Sequence, residues 1–66
     1  MRISRKVFYI RTKDSPIEFH AGNGTMSDLF EDVEIYPDEY MAKDELSKFD
    51  TDREYVIGVA GIVADI

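Results

Sequence analysis

No cysteine occurs among the 66 residues, tryptophan is missing as well, and there are one histidine and two prolines. The missing cysteines exclude a disulfide framework, a thiol nucleophile and thiolate metal ligation together. They also fit a reducing compartment, so a cytoplasmic location is expected. With His20 as the one imidazole, any serine nucleophile among Ser4, Ser15, Ser27 and Ser47 would need it as base. No spacing in the chain brings them together, and His20 reads as a surface or strand-end residue. Long apolar runs are scarce too. Val7 to Ile10 is cut by Arg11, too short for the core of a signal peptide. Tyr55 to Ala64 contains two glycines and falls far below the roughly 20 residues that span a bilayer. No membrane segment is expected.

Basic residues are rare beyond position 13. Residues 1–13 hold Arg2, Arg5, Lys6, Arg11 and Lys13 without an acid, whereas residues 14–54 hold thirteen acids against Lys43, Lys48 and Arg53. Asp65 completes a net charge of −6. Such a field repels phosphate backbones and attracts basic surfaces, so direct nucleic-acid binding is not expected.

What is present belongs to a chain that folds. Hydrophobic residues make up 44% and charged residues 33%, with four Tyr and four Phe, outside the range of disordered chains. The length allows one small domain, residues 1–66, and a core of this size rarely supplies more than roughly 3 to 5 kcal/mol. A homodimer contact or another partner would complete it.

Ile3 to Thr12 places Ile3, Val7 and Tyr9 on one alternating face and Phe8 and Ile10 on the other, which predicts a strand. Lys13-Asp14-Ser15-Pro16 is a turn, and Ile17 to His20 resumes extension, giving a β-hairpin. Gly22-Asn23-Gly24 ends that run, because each residue tolerates positive φ. Between Thr25 and Tyr36 a short helical turn capped by Thr25 or Ser27 is expected. Pro37 to Phe49 predicts the main helix. Pro37 takes the first helical position, Asp38 and Glu39 face the positive end of the helix dipole, and Ala42, Leu46 and Phe49 make the apolar stripe. Tyr55 to Val63 returns to strand composition, with Gly58 and Gly61 marking a bulge or a close backbone approach. The fold class is therefore α+β: a three-stranded, largely antiparallel sheet with one helix on one face, in ββαβ order.

Motifs for chemistry are thin. Asp50-Thr51-Asp52 copies the start of a calcium loop but lacks the glycine at loop position 6 and the glutamate at position 12, and reads as a helix exit. Gly22-Asn23-Gly24 lacks the frame of a phosphate loop and reads as a turn. Neither metal nor cofactor is expected, and no pair of carboxylates stands out for acid–base work. The chain is therefore not expected to be an enzyme.

The acids themselves are the strongest signal. Residues 28–54 hold eleven carboxylates, and between 28 and 39 no base interrupts them. One reading is a solvated face that keeps a small domain soluble. The other is a surface that imitates a nucleic-acid backbone, anchored by the interleaved Leu29, Phe30, Val33, Ile35 and Tyr36. On that reading the partner-binding residues are Asp28, Glu31, Asp32, Glu34, Tyr36, Asp38, Glu39, Asp44 and Glu45.

Phe30-x-Asp32-x-x-Ile35-Tyr36, then Ala42-x-x-x-Leu46-x-x-Phe49-Asp50, with Phe8-Tyr9-Ile10 near the start, resembles small uncharacterised accessory proteins of phages and prophages in low-GC Gram-positive bacteria. The resemblance covers most of the chain and rests mainly on packing positions, so it carries over no catalytic residue. It implies a setting in which small acidic proteins inhibit host defence nucleases, anti-CRISPR proteins among them. The expected function is then inhibition of a host nucleic-acid-handling protein, such as a CRISPR effector nuclease, through the acidic surface. The alternative is a structural or regulatory module that docks or homodimerises through the apolar Val56, Ile57, Val59, Ile62 and Val63.

Overall fold

A computed structural model describes residues 2–49 and 53–65 of the chain. The Asp50-Thr51-Asp52 segment lies outside the described residues. Two eleven-residue strands dominate the molecule. β1 (Arg2–Thr12) and β4 (Tyr55–Asp65) pair antiparallel over their whole length, from Arg2 opposite Asp65 to Thr12 opposite Tyr55. The register runs without a bulge. Both segments are rich in the β-branched and aromatic residues that suit a pleated surface.

β2 (Phe19–His20) joins the other side of β1, with Phe19 opposite Arg11 and the Thr12 N–H donating to the Glu18 carbonyl at 2.9 Å. The turn between them is tied from two directions. Thr12 Oγ1 accepts from the Glu18 N–H at 2.9 Å and donates to the Pro16 carbonyl at 3.2 Å. Arg53 reaches across to donate to the Glu18 carboxylate at 2.7 Å, the Pro16 carbonyl at 2.7 Å and the Asp14 carbonyl at 3.0 Å.

The sheet has four strands in the order β3-β2-β1-β4, not the expected three. The added strand, β3 (Met26–Ser27), pairs antiparallel with β2. Gly22, Asn23 and Gly24 all take positive φ (88°, 54° and 74°), and the Thr25 hydroxyl closes the turn on the Gly22 carbonyl at 2.6 Å. That glycine turn is plain in the sequence, but two residues have no periodicity that could reveal the strand behind it.

The helix, α1 (Glu39–Leu46), is shorter than the expected Pro37 to Phe49. The Asp38 carboxylate accepts the Tyr40 N–H at 2.7 Å, so Asp38 is the cap and Pro37 precedes it. Beyond Leu46 the chain tightens into turns through Phe49. The expected stripe holds: Ala42 is fully buried, and Leu46 and Phe49 are half-buried. A 3-10 turn at Phe30–Asp32 stands in the place of the expected short turn, but neither Thr25 nor Ser27 caps it: the cap is Leu29, whose N–H donates to the Ser27 hydroxyl.

Opposed residues of an antiparallel pair share a face. Phe8, Ile10 and Thr12 therefore lie with Val59, Ile57 and Tyr55, and α1 packs on this side, where Phe49 meets both Tyr55 and His20 edge-on. The opposite side carries Tyr9, Phe19 and Phe30, whose rings meet at 5.1 to 6.1 Å. The 3-10 turn thus covers the second face. Ile10, Ala42 and Val7 are the buried apolar residues among those described, with Thr12 and His20 buried beside them.

Beyond Val7 the ribbon is left uncovered by the described residues. Arg2 to Lys6 are all exposed, as are Gly61, Ile62 and Val63 opposite them. Five residues at about 3.4 Å each carry this two-stranded arm roughly 17 Å past the body. The molecule accordingly measures 44 × 23 × 20 Å.

Gly58 is the close approach. A Cβ there would sit 2.3 Å from Tyr9 Cζ, and the Tyr9 ring is held from behind by Phe19 and Phe30. Gly61 has nothing within 4 Å. Gly58→Ala is expected to cost ~1–3 kcal/mol by displacing that ring, whereas Gly61→Ala should stay within about 0.5 kcal/mol. Urea denaturation of the two variants against the parent chain checks the contrast.

Candidate functional site

The nine residues expected to bind a partner spread over both sides of the sheet. Glu31 and Asp32 belong to the 3-10 turn, whose Phe30 packs on the Tyr9 side, and Asp28 lies just before it. Asp38, Glu39, Asp44 and Glu45 belong to α1 and its cap on the other side. Glu34 and Tyr36 lie on the crossing between them. There the Glu34 N–H donates to the His20 carbonyl at 2.8 Å, and Tyr36 exchanges two hydrogen bonds with Phe8 at 2.8 and 2.7 Å.

Several of these carboxylates already have work within the chain. Asp32 accepts from the Ser27 hydroxyl at 2.7 Å, and that hydroxyl accepts the Leu29 N–H at 3.1 Å. Asp38 caps α1. Glu39 sits 3.5 Å from Lys43, while Asp44 and Glu45 share Lys48 at 3.8 and 3.5 Å. Asp28, Glu31 and Glu34 make no ion pair among the described residues, and all three are exposed. They alternate with exposed Leu29, Phe30 and Ile35. Segment 28–35 thus combines carboxylates that have no cation partner with accessible apolar surface, whereas the exposed Tyr40 and Met41 of α1 stand beside carboxylates already engaged.

Glu34, Tyr36 and Glu45 share one electrostatic neighbourhood. Desolvation pushes the Tyr36 phenol above its ordinary value, and the charges of Glu45 and Glu34 push it further the same way. The Tyr36 ring lies parallel to His20 with centroids 6.5 Å apart.

His20 is the strand-end residue of the two expected readings, and it is buried at the end of β2 rather than at the surface. Strand alternation explains this: Phe19 takes the Tyr9 side, so the next residue must face α1. His20 opens onto a cleft of about 270 Å³ bordered by Glu45, Lys48, Phe49 and Tyr55. Its Nε2 lies 4.0 Å from Glu45 Oε1, beyond hydrogen-bond reach. The ring is instead packed edge-on against Phe49 at 4.8 Å, as a core residue would be. Among the described residues no cluster of three or more His, Cys, Asp or Glu is placed to hold a metal ion. No helix among them is long and apolar enough to cross a membrane.

The class defined by this geometry is a small α+β domain with a lopsided sheet, covered on both faces at one end and bare at the other. Compared with family models, curated proteins and solved structures, the chain matches none.

Because folding raises the Tyr36 pKa, the folded chain holds the phenolic proton more tightly than the unfolded one. The resulting stability is fully present below the ordinary value of 10.0 and is lost as pH rises from there through the folded value. Tyr36→Phe should therefore lose less stability than the parent chain between neutral pH and strongly alkaline pH. Paired urea titrations at the two pH values read the difference directly.

Proposed function

We propose that the chain is a non-catalytic binding protein that inhibits a partner by occupying a basic, nucleic-acid-handling surface with segment 28–35. The observation that supports this reading is the coincidence, in eight consecutive residues, of three carboxylates without internal cations and three exposed apolar side chains. Charge draws a basic groove in, and the apolar side chains supply the desolvated contact that charge alone does not. Phosphate-binding grooves suit such a segment because they are already lined by Lys and Arg. The likeness to phage accessory proteins makes host nucleases, CRISPR effectors among them, the partner class to test first.

The second reading, docking through the last strand, also has an observation in its favour. β4 is an edge of the sheet, and Val59, Ile62 and Val63 are exposed along it. The two surfaces are separate and can coexist.

Asp28→Asn, Glu31→Gln and Glu34→Gln combined should release a partner captured from nuclease-treated host lysate and flatten its elution against salt. Glu39→Gln with Asp44→Asn, which removes two carboxylates already paired to lysines, should leave capture within about twofold, because such surface pairs are worth only ~0.3–0.5 kcal/mol. Equal retention of the partner by the triple variant, with folding intact by circular dichroism, would remove the acidic segment from the function.

A further inference from the structure

We propose that β4 is the seam of a two-fold homodimer, in which the open edges of two copies pair antiparallel about Ala60 to form one eight-stranded sheet.

The first ground is the state of the edge. Natural sheets protect a free edge with charged side chains, proline, a bulge or shortness. β4 uses none of these: it runs eleven residues, keeps continuous register with β1, and has no charged residue or proline from Tyr55 to Ala64. Val59, Ile62 and Val63 remain 57%, 42% and 61% exposed. A strand like this is stable in solution when something pairs with it.

The second ground selects the occupant and its direction. The arm carries Arg5 and Lys6, which form no ion pair among the described residues, while residues 14–54 hold thirteen acids against three bases. One end of the molecule is therefore basic and the other acidic. Antiparallel pairing about Ala60 lays residues 61–65 of one copy along residues 55–59 of the other. The basic arm of each copy then lies beside the acidic body of its partner, with Lys6 on the α1 face and Arg5 on the Tyr9 face. Parallel pairing would set arm on arm and body on body, with like charges together. A symmetric contact satisfies both ends at once, because a two-fold interface uses the same patch twice.

The packing along this seam agrees. Ile62 of one copy falls opposite Gly58 of the other, the position whose missing Cβ makes room for the Tyr9 ring. Val63 falls opposite Ile57 on the α1 side. Each arm gains a third strand, and a chain with no disulfide and a small buried core gains apolar contact through association.

The experiment is sedimentation equilibrium of the full chain up to NMR concentrations, with Ile62→Lys/Val63→Lys and Arg5→Glu/Lys6→Glu alongside. The parent chain should run as twice its 7.6 kDa mass, and the edge-lysine variant as a folded monomer with native-like NMR dispersion. The arm charge reversal should weaken the dimer at least about tenfold at low salt, with the difference closing at high salt. A well-dispersed parent spectrum from a monomer at all concentrations would overturn the proposal. A dimer indifferent to the lysine pair would overturn it as well, by placing the contact elsewhere. If the lysine variant does not fold, slow amide exchange of the outward β4 N–H groups in the parent decides: protection from Val56 to Val63 supports the seam, and fast exchange rejects it.

Discussion

The pairing of β1 with β4 is the constraint on which the other features depend. It joins eleven residues to eleven in unbroken register, and the remaining elements attach to its Thr12–Tyr55 half. β2 reaches it through a single residue pair, and residues 33–36 touch it through the bridge at Phe8. The helix rests on one face and the 3-10 turn on the other, so a sheet two strands wide at its centre becomes a small three-layer body. Tyr9 locks this arrangement. Its ring lies over Gly58 of β4 and against Phe19 and Phe30, which ties the central ribbon to β2 and to the turn in one contact set.

Much of this was legible in the residues. The strand from Ile3 to Thr12, the Lys13 to Pro16 turn, the helix around Ala42 and the strand from Tyr55 showed their periods, and each stands within a few residues of its expected place. The glycine pair in the last strand signalled a bulge or a close approach: the register has no bulge, and Gly58 makes the approach while Gly61 does not. What stayed hidden depends on partners distant in sequence. Met26–Ser27 becomes a strand only because β2 lies beside it, and His20 is buried only because α1 and Phe49 close over it. The arm was equally invisible, since alternation reports which way a side chain points but not whether anything will cover it.

The acidic run changes meaning when it is folded. As a sequence it is one block, but the sheet divides it, and hydrogen bonds and lysines occupy Asp32, Asp38, Glu39, Asp44 and Glu45. Segment 28–35 retains both the uncommitted charge and the exposed side chains. The proposed dimer seam lies along a different element, so the molecule has room for self-association and for a foreign partner at once.

The β1–β4 ribbon also orders events in time. Its paired residues lie roughly forty to sixty positions apart in the chain, so little of the sheet can form through local contacts, and loop closure must precede most of its stabilisation. During synthesis β1 emerges with its edges bare and waits for nearly everything that follows, including the acidic body, before β4 arrives to cover it. Arg2, Arg5 and Lys6 then have a second use. Charge of one sign on a β-rich strand opposes its pairing with copies of itself while its own partner is still missing.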